Sequence, residues 1–232
     1  MREKSKPRAR VERAVRIIAG RVSLEGDLVQ PAGARGVVLF AHGSGSSRHS
    51  PRNRAVAGRM HDARFATLLL DLLTKEEEEL DVLSSHIRFD IPLLAGRVEH
   101  AVHWLRGYDE TSGLPLGLFG ASTGAAAAFI VAAHLPRDVA AIVSRGGRPD
   151  LAGAHLRRVQ APTLLIVGGD DMEVIELNEE AYRQLRCAKG MQTVPGATHL
   201  FEEPGTLETV AQLAGDWFAR WLPAAGPPEL RP

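Results

Sequence analysis

The chain has 232 residues, of which 44% are hydrophobic and 24% are charged, and its 28 basic and 28 acidic side chains give a formal net charge of +0. This length suits one α/β domain with a substantial core, and the balanced charge provides no general attraction to nucleic acid or to an anionic membrane. The one cysteine, Cys187, excludes an internal disulfide. The basic N-terminus lacks the apolar stretch of a secretory signal, and no apolar run reaches the roughly 20 residues that span a bilayer, so we expect a cytoplasmic protein.

Short apolar runs alternate with helical patterns along the chain, which predicts a mostly parallel, doubly wound sheet flanked by helices. The predicted strands are residues 15–19, 22–29, 36–41, 66–71, 116–119, 139–143, 163–167 and 191–194. The predicted helices are residues 54–61, 91–105, 125–133, 151–157, 174–185 and 207–222. The charged stretch 74–81 is expected to be a loop, in which the run 76–79 either is solvated or repels anionic substrates. We expect a basic flexible tail over 1–10, one domain over 11–222 and a Pro- and Gly-rich tail over 223–232.

The segment Gly120-Ala121-Ser122-Thr123-Gly124 follows the fifth predicted strand and precedes an alanine-rich helical stretch. A sharp strand–turn–helix connection of this kind is a nucleophile elbow, which exposes the hydroxyl of its central residue above the sheet. The turn is tight, and the two glycines leave room for the backbone to reverse direction. We therefore predict that Ser122 is a nucleophile.

A nucleophilic serine needs an imidazole base and a carboxylate that orients the imidazole. The predicted strand 163–167 is followed by Asp170 and Asp171, and the strand 191–194 leads into a loop that carries His199. Ligands of open α/β sheets bind outside the carboxyl ends of the strands. We therefore predict a triad of Ser122, His199 and one of the two aspartates.

The predicted strand 36–41 leads into a glycine-rich loop, His42-Gly43-Ser44-Gly45-Ser46. Backbone N–H groups of such a loop and of the residue after the nucleophile stabilise the oxyanion of an acyl-transfer intermediate. The N–H groups of Ser44 and Thr123 are the predicted donors. We expect His42 to hold the loop in place by hydrogen bonding rather than to take part in catalysis.

Further motifs lie at 42–45, 89–95, 144–150, 168–171 and 197–199, in addition to the elbow at Ser122. With these motifs the chain resembles an α/β-hydrolase of the dienelactone hydrolase-like group from about residue 11 to about residue 222. The resemblance implies the α/β-hydrolase fold, and a D-x-x-V pattern beginning at Asp171 favours this residue over Asp170 as the acid. Dienelactone hydrolases proper carry a cysteine nucleophile, whereas this chain has Ser122, so the resemblance implies a serine carboxylesterase.

Lids of this fold usually lie between the strand after the elbow helix and the acid strand, and here that interval covers only residues 144–160. We therefore expect a minimal lid, an open site, and hydrolysis of small, short-acyl esters or lactones without a metal or other cofactor. Acyl transfer or thioester cleavage by the same triad is one alternative, and a non-catalytic binding role is another. The expected partner is a small-molecule ester or lactone, and the chain is expected to be a monomer or a homodimer.

Several other polar residues have two interpretations. Arg145 and Arg148 follow the strand after the elbow, so they either bind a substrate carboxylate or brace the loop by ion pairing, and we favour the brace. His100 and His103 have the spacing of a metal pair on a helix, but without a third ligand at matching spacing we interpret them as surface or core histidines.

Overall fold

The computed structural model of the chain describes residues 10–84 and 86–222. The tails predicted over 1–10 and 223–232 lie outside this range, except for Arg10, which begins the first strand. Within the described range, no helix is both long enough and apolar enough to cross a membrane.

An eight-stranded sheet forms the centre of the molecule, with the strand order β1-β2-β4-β3-β5-β6-β7-β8. The strands β1 and β2 form an antiparallel hairpin at one edge, and β2 is also antiparallel to β4, whereas the strands from β4 to β8 pair in parallel. The strands are β1 Arg10–Ala19, β2 Val22–Pro31, β3 Val37–Ala41, β4 Ala66–Leu70, β5 Leu116–Ala121, β6 Val139–Arg145, β7 Thr163–Gly168 and β8 Lys189–Val194.

Helices cover both faces of the sheet. They are α1 Pro51–Asp62, α2 Lys75–Ser84, α3 Ile91–Gly107, α4 Asp109–Ser112, α5 Thr123–His134, α6 Met172–Gln184 and α7 Thr206–Trp221. Successive strand residues point to opposite faces, so Leu39 and Leu118 pack in the core with α3 and α5, while Phe40 and Phe119 pack in the core with α1 and α7. The rings of Phe40 and Phe119 lie 4.8 Å apart. This arrangement confirms the predicted fold.

The interval between β6 and β7 holds only a short 3₁₀ helix, Pro149–Arg158, as expected for a minimal lid. The prediction of a loop over 74–81 is wrong, because the helix α2 begins at Lys75. The Thr74 N–H donates to Glu77 Oε2 at 2.8 Å, and the Glu77 N–H donates to Thr74 Oγ1 at 3.3 Å. This is a capping box, and acidic residues in the first turn also interact favourably with the helix dipole.

Candidate active site

Ser122 lies in a strained turn between β5 and α5, with φ 49° and ψ −124°. Positive φ is uncommon for a residue with a side chain, and it concentrates at functional sites. A β-carbon on Gly124 would lie 2.2 Å from the Ala41 carbonyl oxygen, and one on Gly120 would lie 2.4 Å from Ala125 Cα. The elbow can therefore pack against β3 and α5 only because both flanking residues are glycine.

The imidazole of His199 is hydrogen-bonded to Asp171, with 2.7 Å between His199 Nδ1 and Asp171 Oδ2. Asp170 instead contributes its backbone, since its N–H donates to the Ala197 carbonyl at 2.9 Å. A β-carbon on Gly168 would lie 2.4 Å from that same carbonyl oxygen, so the two loops pack backbone against backbone. This close packing brings His199 within reach of Asp171.

The loop after β6 contacts both Ser122 and His199. The Ser122 N–H donates to the Arg145 carbonyl at 3.3 Å, and the Ser122 carbonyl accepts from the Arg148 N–H at 3.0 Å. A β-carbon on Gly146 would lie 3.6 Å from His199 Cε1. The predicted serine, acid and base therefore lie at the same end of the sheet, around one shared loop.

The two predicted oxyanion donors also lie next to each other. Gly43 approaches the elbow so closely that a β-carbon there would lie 2.8 Å from Ser122 Cβ. Thr123 is the first residue of α5, so its N–H has no partner within the helix. The Ser44 N–H donates to the Thr123 side-chain Oγ1 at 3.1 Å. Sequence reasoning selected only the backbone of Thr123 and missed this buried hydroxyl, which connects the two donors.

His42 connects the glycine-rich loop to the end of β4. Its Nε2 accepts from the Leu72 N–H at 3.0 Å, and its Nδ1 lies 2.8 Å from the Gly43 carbonyl oxygen, to which it donates. Both ring nitrogens are thus engaged by the backbone, and burial lowers the pKa of His42. This arrangement is consistent with the predicted structural role of this histidine.

The two arginines after β6 have different environments. Arg148 makes a bidentate ion pair with Asp150, with its Nε and Nη2 at 2.9 and 2.8 Å from the two carboxylate oxygens. This contact matches the predicted brace. Arg145 is only 7% exposed, and its Nε and Nη1 have no hydrogen-bond partner among the described residues.

A cavity of about 290 Å³ lies against the glycine-rich loop. Its apolar lining comes from the side chains of Leu72, Leu73, Val82 and Leu94. The helix α2 and the following 3₁₀ helix, Ile87–Phe89, form a cover over this cavity. The cover over this cavity therefore comes from the segment after β4, whereas the interval after β6 holds only the short 3₁₀ helix expected for a minimal lid.

Ion pairs hold the cover in place. Asp81 is 1% exposed and pairs with Arg88, and its Oδ1 also accepts the Ile87 and Arg88 N–H groups at 2.6 and 3.2 Å. Glu77, in the first turn of α2, pairs with the buried Arg97 at 2.5 Å. The acidic run predicted to be either solvated or repulsive therefore includes one residue that anchors the cover.

The histidine pair that sequence reasoning considered for metal binding makes other contacts. His100 Nδ1 lies 2.7 Å from the Gly96 carbonyl oxygen, and His103 Nε2 lies 3.8 Å from Glu99. Over residues 10–84 and 86–222, no group of three or more His, Cys, Asp or Glu side chains has an arrangement suited to a metal ion.

The sequence and the structure are similar to those of known proteins. The model of the dienelactone hydrolase family matches residues 24–222. Two curated proteins from strains of Mycobacterium tuberculosis, each provisionally named a phosphoribosyl transferase, are 55% identical over 213 residues, which is 92% of this chain and 47% of theirs. The chain therefore spans about half the length of these relatives.

Solved structures show the same fold. A dienelactone hydrolase from Anabaena variabilis is 57% identical, with a TM-score of 0.90 over 92% of this chain and 99% of that chain. Est1E from Butyrivibrio proteoclasticus is 15% identical, with a TM-score of 0.75 over 90% of this chain and 98% of that chain. The second similarity concerns the fold alone.

Proposed function

Because the chain belongs to the dienelactone hydrolase family, we propose that it is a serine hydrolase that cleaves carboxylic esters or lactones with small acyl groups. The observation that carries the proposal is the 2.7 Å hydrogen bond between His199 and Asp171, which share one end of the sheet with the strained Ser122. A serine, a carboxylate and an imidazole, in this order along the chain, are the components of a catalytic triad in this fold.

In the proposed mechanism, His199 Nε2 accepts the proton of Ser122 Oγ while this oxygen attacks the carbonyl carbon. Asp171 accepts the Nδ1 hydrogen bond, which fixes the tautomer and stabilises the imidazolium. The Thr123 N–H stabilises the tetrahedral oxyanion, and the Ser44 N–H joins it by shifting from Thr123 Oγ1 to the oxyanion. His199 then protonates the leaving alcohol, and a water molecule, deprotonated by His199, hydrolyses the acyl-enzyme.

The size of the cavity supports small substrates. Its volume is about 290 Å³, and it lies against the same loop that carries the proposed oxyanion donor Ser44. Apolar side chains at Leu72, Val82 and Leu94 suit a short acyl chain.

Acyl transfer and thioester cleavage use the same residues and differ only in the acceptor or the leaving group. Phosphoribosyl transfer is not part of the proposal, since the segment shared with the Mycobacterium tuberculosis proteins includes the part that matches the dienelactone hydrolase family.

Release of p-nitrophenol from acetate, butyrate and octanoate esters tests the proposal. We expect Ser122→Ala to lower kcat by at least ~10³-fold, because it removes the nucleophile, and we expect the wild type to prefer the shorter esters. Labelling by a fluorophosphonate should be lost in the same variant. Turnover that survives in Ser122→Ala would refute the mechanism. A folded wild type that neither hydrolyses any ester nor accepts the label would indicate a binding role.

Two neighbouring aspartates provide a matched pair of variants for the acid. We expect Asp171→Asn to lower kcat by ~10³–10⁴-fold, because the amide no longer stabilises the correct tautomer of His199. Asp170→Asn changes the adjacent carboxylate in the same way, but Asp170 uses its backbone N–H in the loop, so we expect its kcat to stay near that of the wild type. Equal losses in both variants would contradict the assignment of Asp171.

A further inference from the structure

Arg145 is a buried cation that makes no ion pair with residues 10–84 or 86–222. Its side chain lies at the end of β6 and is 7% exposed. Both Nε and Nη1 are buried, and within the described part of the chain neither has a hydrogen-bond partner. Burial of an unpaired charge costs several kcal/mol, and buried charges in proteins are normally paired. Two buried N–H donors without a partner indicate a missing acceptor.

A second arginine lies close to Arg145. Arg52, in the first turn of α1, donates from Nη1 to Glu202 at 2.7 Å, while the Arg145 guanidinium lies 6.0 Å from the ring centre of the preceding residue, Phe201. Like Arg145, Arg52 has a buried Nε without a partner among the residues described. The two guanidinium groups therefore flank the same short stretch, immediately after His199.

The electrostatics of this pair favour an anion. Burial, together with the charge of Arg52, lowers the pKa of Arg145 to about 10. Arg52 is also in the first turn of α1, where the positive end of the helix dipole adds to the field. Glu202 is engaged with Arg52 and makes no ion pair with Arg145. A bound oxyanion would accept one unpartnered N–H group from each arginine.

We propose that Arg145 and Arg52 form a binding site for a small oxyanion, a carboxylate or a phosphate, beside the loop that carries His199. The planar guanidinium groups match the geometry of both anions. The site lies next to the candidate triad, because the Arg145 carbonyl accepts the Ser122 N–H and Gly146 lies against the His199 ring. The oxyanion is either a free ion or a group carried by the substrate, and only the second source rests on the proposed function.

Thermal unfolding in increasing concentrations of sodium phosphate or sodium acetate, with ionic strength kept constant by sodium chloride, tests the site without any catalytic assay. We expect the midpoint of the wild type to rise with either anion, because a ligand that binds only the folded state stabilises it. Arg145→Gln should raise the apparent dissociation constant for either anion at least ~10-fold, because it removes charge-assisted hydrogen bonds. Arg183→Gln, which removes an exposed arginine paired with Glu180, is the matched control and should respond like the wild type.

Arg52→Gln gives a second test if Arg145→Gln does not fold, since the Arg52 side chain is 28% exposed and tolerates substitution more easily. We expect the same loss of response to phosphate and acetate. A wild-type midpoint that neither anion moves, or a response unchanged in Arg145→Gln and Arg52→Gln, would overturn the proposal.

The source of the anion is distinguished with two esters of the same shape, the acetates of 4-hydroxybenzoate and 4-hydroxybenzamide. If the substrate carries the oxyanion, Arg145→Gln should raise KM at least ~10-fold for the charged ester only. If the oxyanion is a free ion, the two KM values should change together. Both results are compatible with the anion-binding site, because the thermal experiment tests the existence of the site separately. Failure of the proposed function would be evident instead as equal turnover in the wild type and Ser122→Ala.

Discussion

At the scale of single residues, Thr123 contributes two groups to the candidate oxyanion site. Its backbone N–H is one proposed oxyanion donor, and its side-chain Oγ1 accepts the N–H of Ser44, the other proposed donor. The Thr123 side chain is buried, and the two residues are 79 positions apart in the sequence. The hydroxyl thus holds the glycine-rich loop against the elbow, and we expect it to act as a positioning residue.

This role gives a prediction for Thr123→Val, which keeps the shape and removes the acceptor. We expect kcat to fall ~10-fold or more with little change in KM, because misplacement of an oxyanion donor weakens binding of the transition state selectively. Thr123→Ser keeps the hydroxyl and should retain most of the activity. The readouts are steady-state kinetics and the rate of fluorophosphonate labelling. Equal losses in Thr123→Val and Thr123→Ser would show that the methyl group, and not the hydroxyl, matters.

Arg145 gives a stability prediction with an unusual sign. The guanidinium is buried and makes no ion pair within the described part of the chain, so an apolar side chain of similar length removes a desolvation cost. We therefore expect Arg145→Met to raise the free energy of unfolding by ~1–3 kcal/mol in chloride buffer. Urea unfolding measures this difference, and added phosphate should reduce it by stabilising the wild type. Arg148→Met removes a residue that is paired with Asp150, and it should not stabilise the protein. A destabilised Arg145→Met would mean that the guanidinium is already compensated.

At the scale of elements, the cover depends on a small number of polar anchors. Two apolar side chains of the cover, Val82 and Phe89, are largely exposed, so their burial contributes little to its stability. Instead, Asp81 joins α2 to the next 3₁₀ helix. Although burial raises the pKa of Asp81, hydrogen bonds from Arg88 and from two backbone N–H groups lower it on balance. The anchor is therefore charged at neutral pH, and its stabilising effect is lost only as pH falls through this lowered pKa.

We predict that Asp81→Asn loosens the cover without unfolding the domain. The amides of Ile87 and Arg88, which donate to Asp81 Oδ1, should exchange their hydrogens at least ~10-fold faster, because local opening becomes easier. KM for short esters should rise as the cavity loses its cover. Glu79→Gln neutralises an exposed carboxylate on the same helix and serves as the control. Unchanged exchange in Asp81→Asn would show that the cover is held by other contacts.

At the scale of the whole molecule, one buried and one half-buried histidine couple the stability of the fold to pH. Burial lowers the pKa of His61 from 6.5 to about 4, with a further contribution from the charge of Arg10. His61 lies on α1, and its Nε2 is 2.7 Å from Thr67 Oγ1 on β4. Burial also lowers the pKa of His42. Both histidines are therefore neutral in the folded protein at pH values where the unfolded chain would protonate them.

The sign of the pH dependence follows from this difference. Between pH 6.5 and about 4 the unfolded state binds more protons at His61, so the free energy of unfolding should decrease as pH falls through this interval. We expect His61→Gln to make this decrease shallower, and the exposed His100→Gln to leave it unchanged. Chemical denaturation at a series of pH values provides the measurement. Parallel curves for the wild type and His61→Gln would contradict this prediction.

Local patterns in the sequence were sufficient to predict most elements and the residue types of the candidate site. Apolar runs identified all eight strands, and the elbow was recognisable because a strand, two glycines and a helix are continuous in the chain. The exceptions were the short helix α4, which was not predicted, and α2, where the acidic run suggested a loop although Thr74 and Glu77 form a capping box that is readable in the sequence.

The tertiary structure decided what depends on contacts between distant segments. It paired His199 with Asp171 rather than Asp170, joined Ser44 to the Thr123 hydroxyl, and paired Arg148 while leaving Arg145 without an acceptor among the described residues. It also placed the cover above the glycine-rich loop. Hydrophobic periodicity and turn chemistry act over a few neighbouring residues, so the sequence determines them directly. Side-chain partners and burial depend on how loops pack at the end of the sheet, and only the folded chain determines this packing.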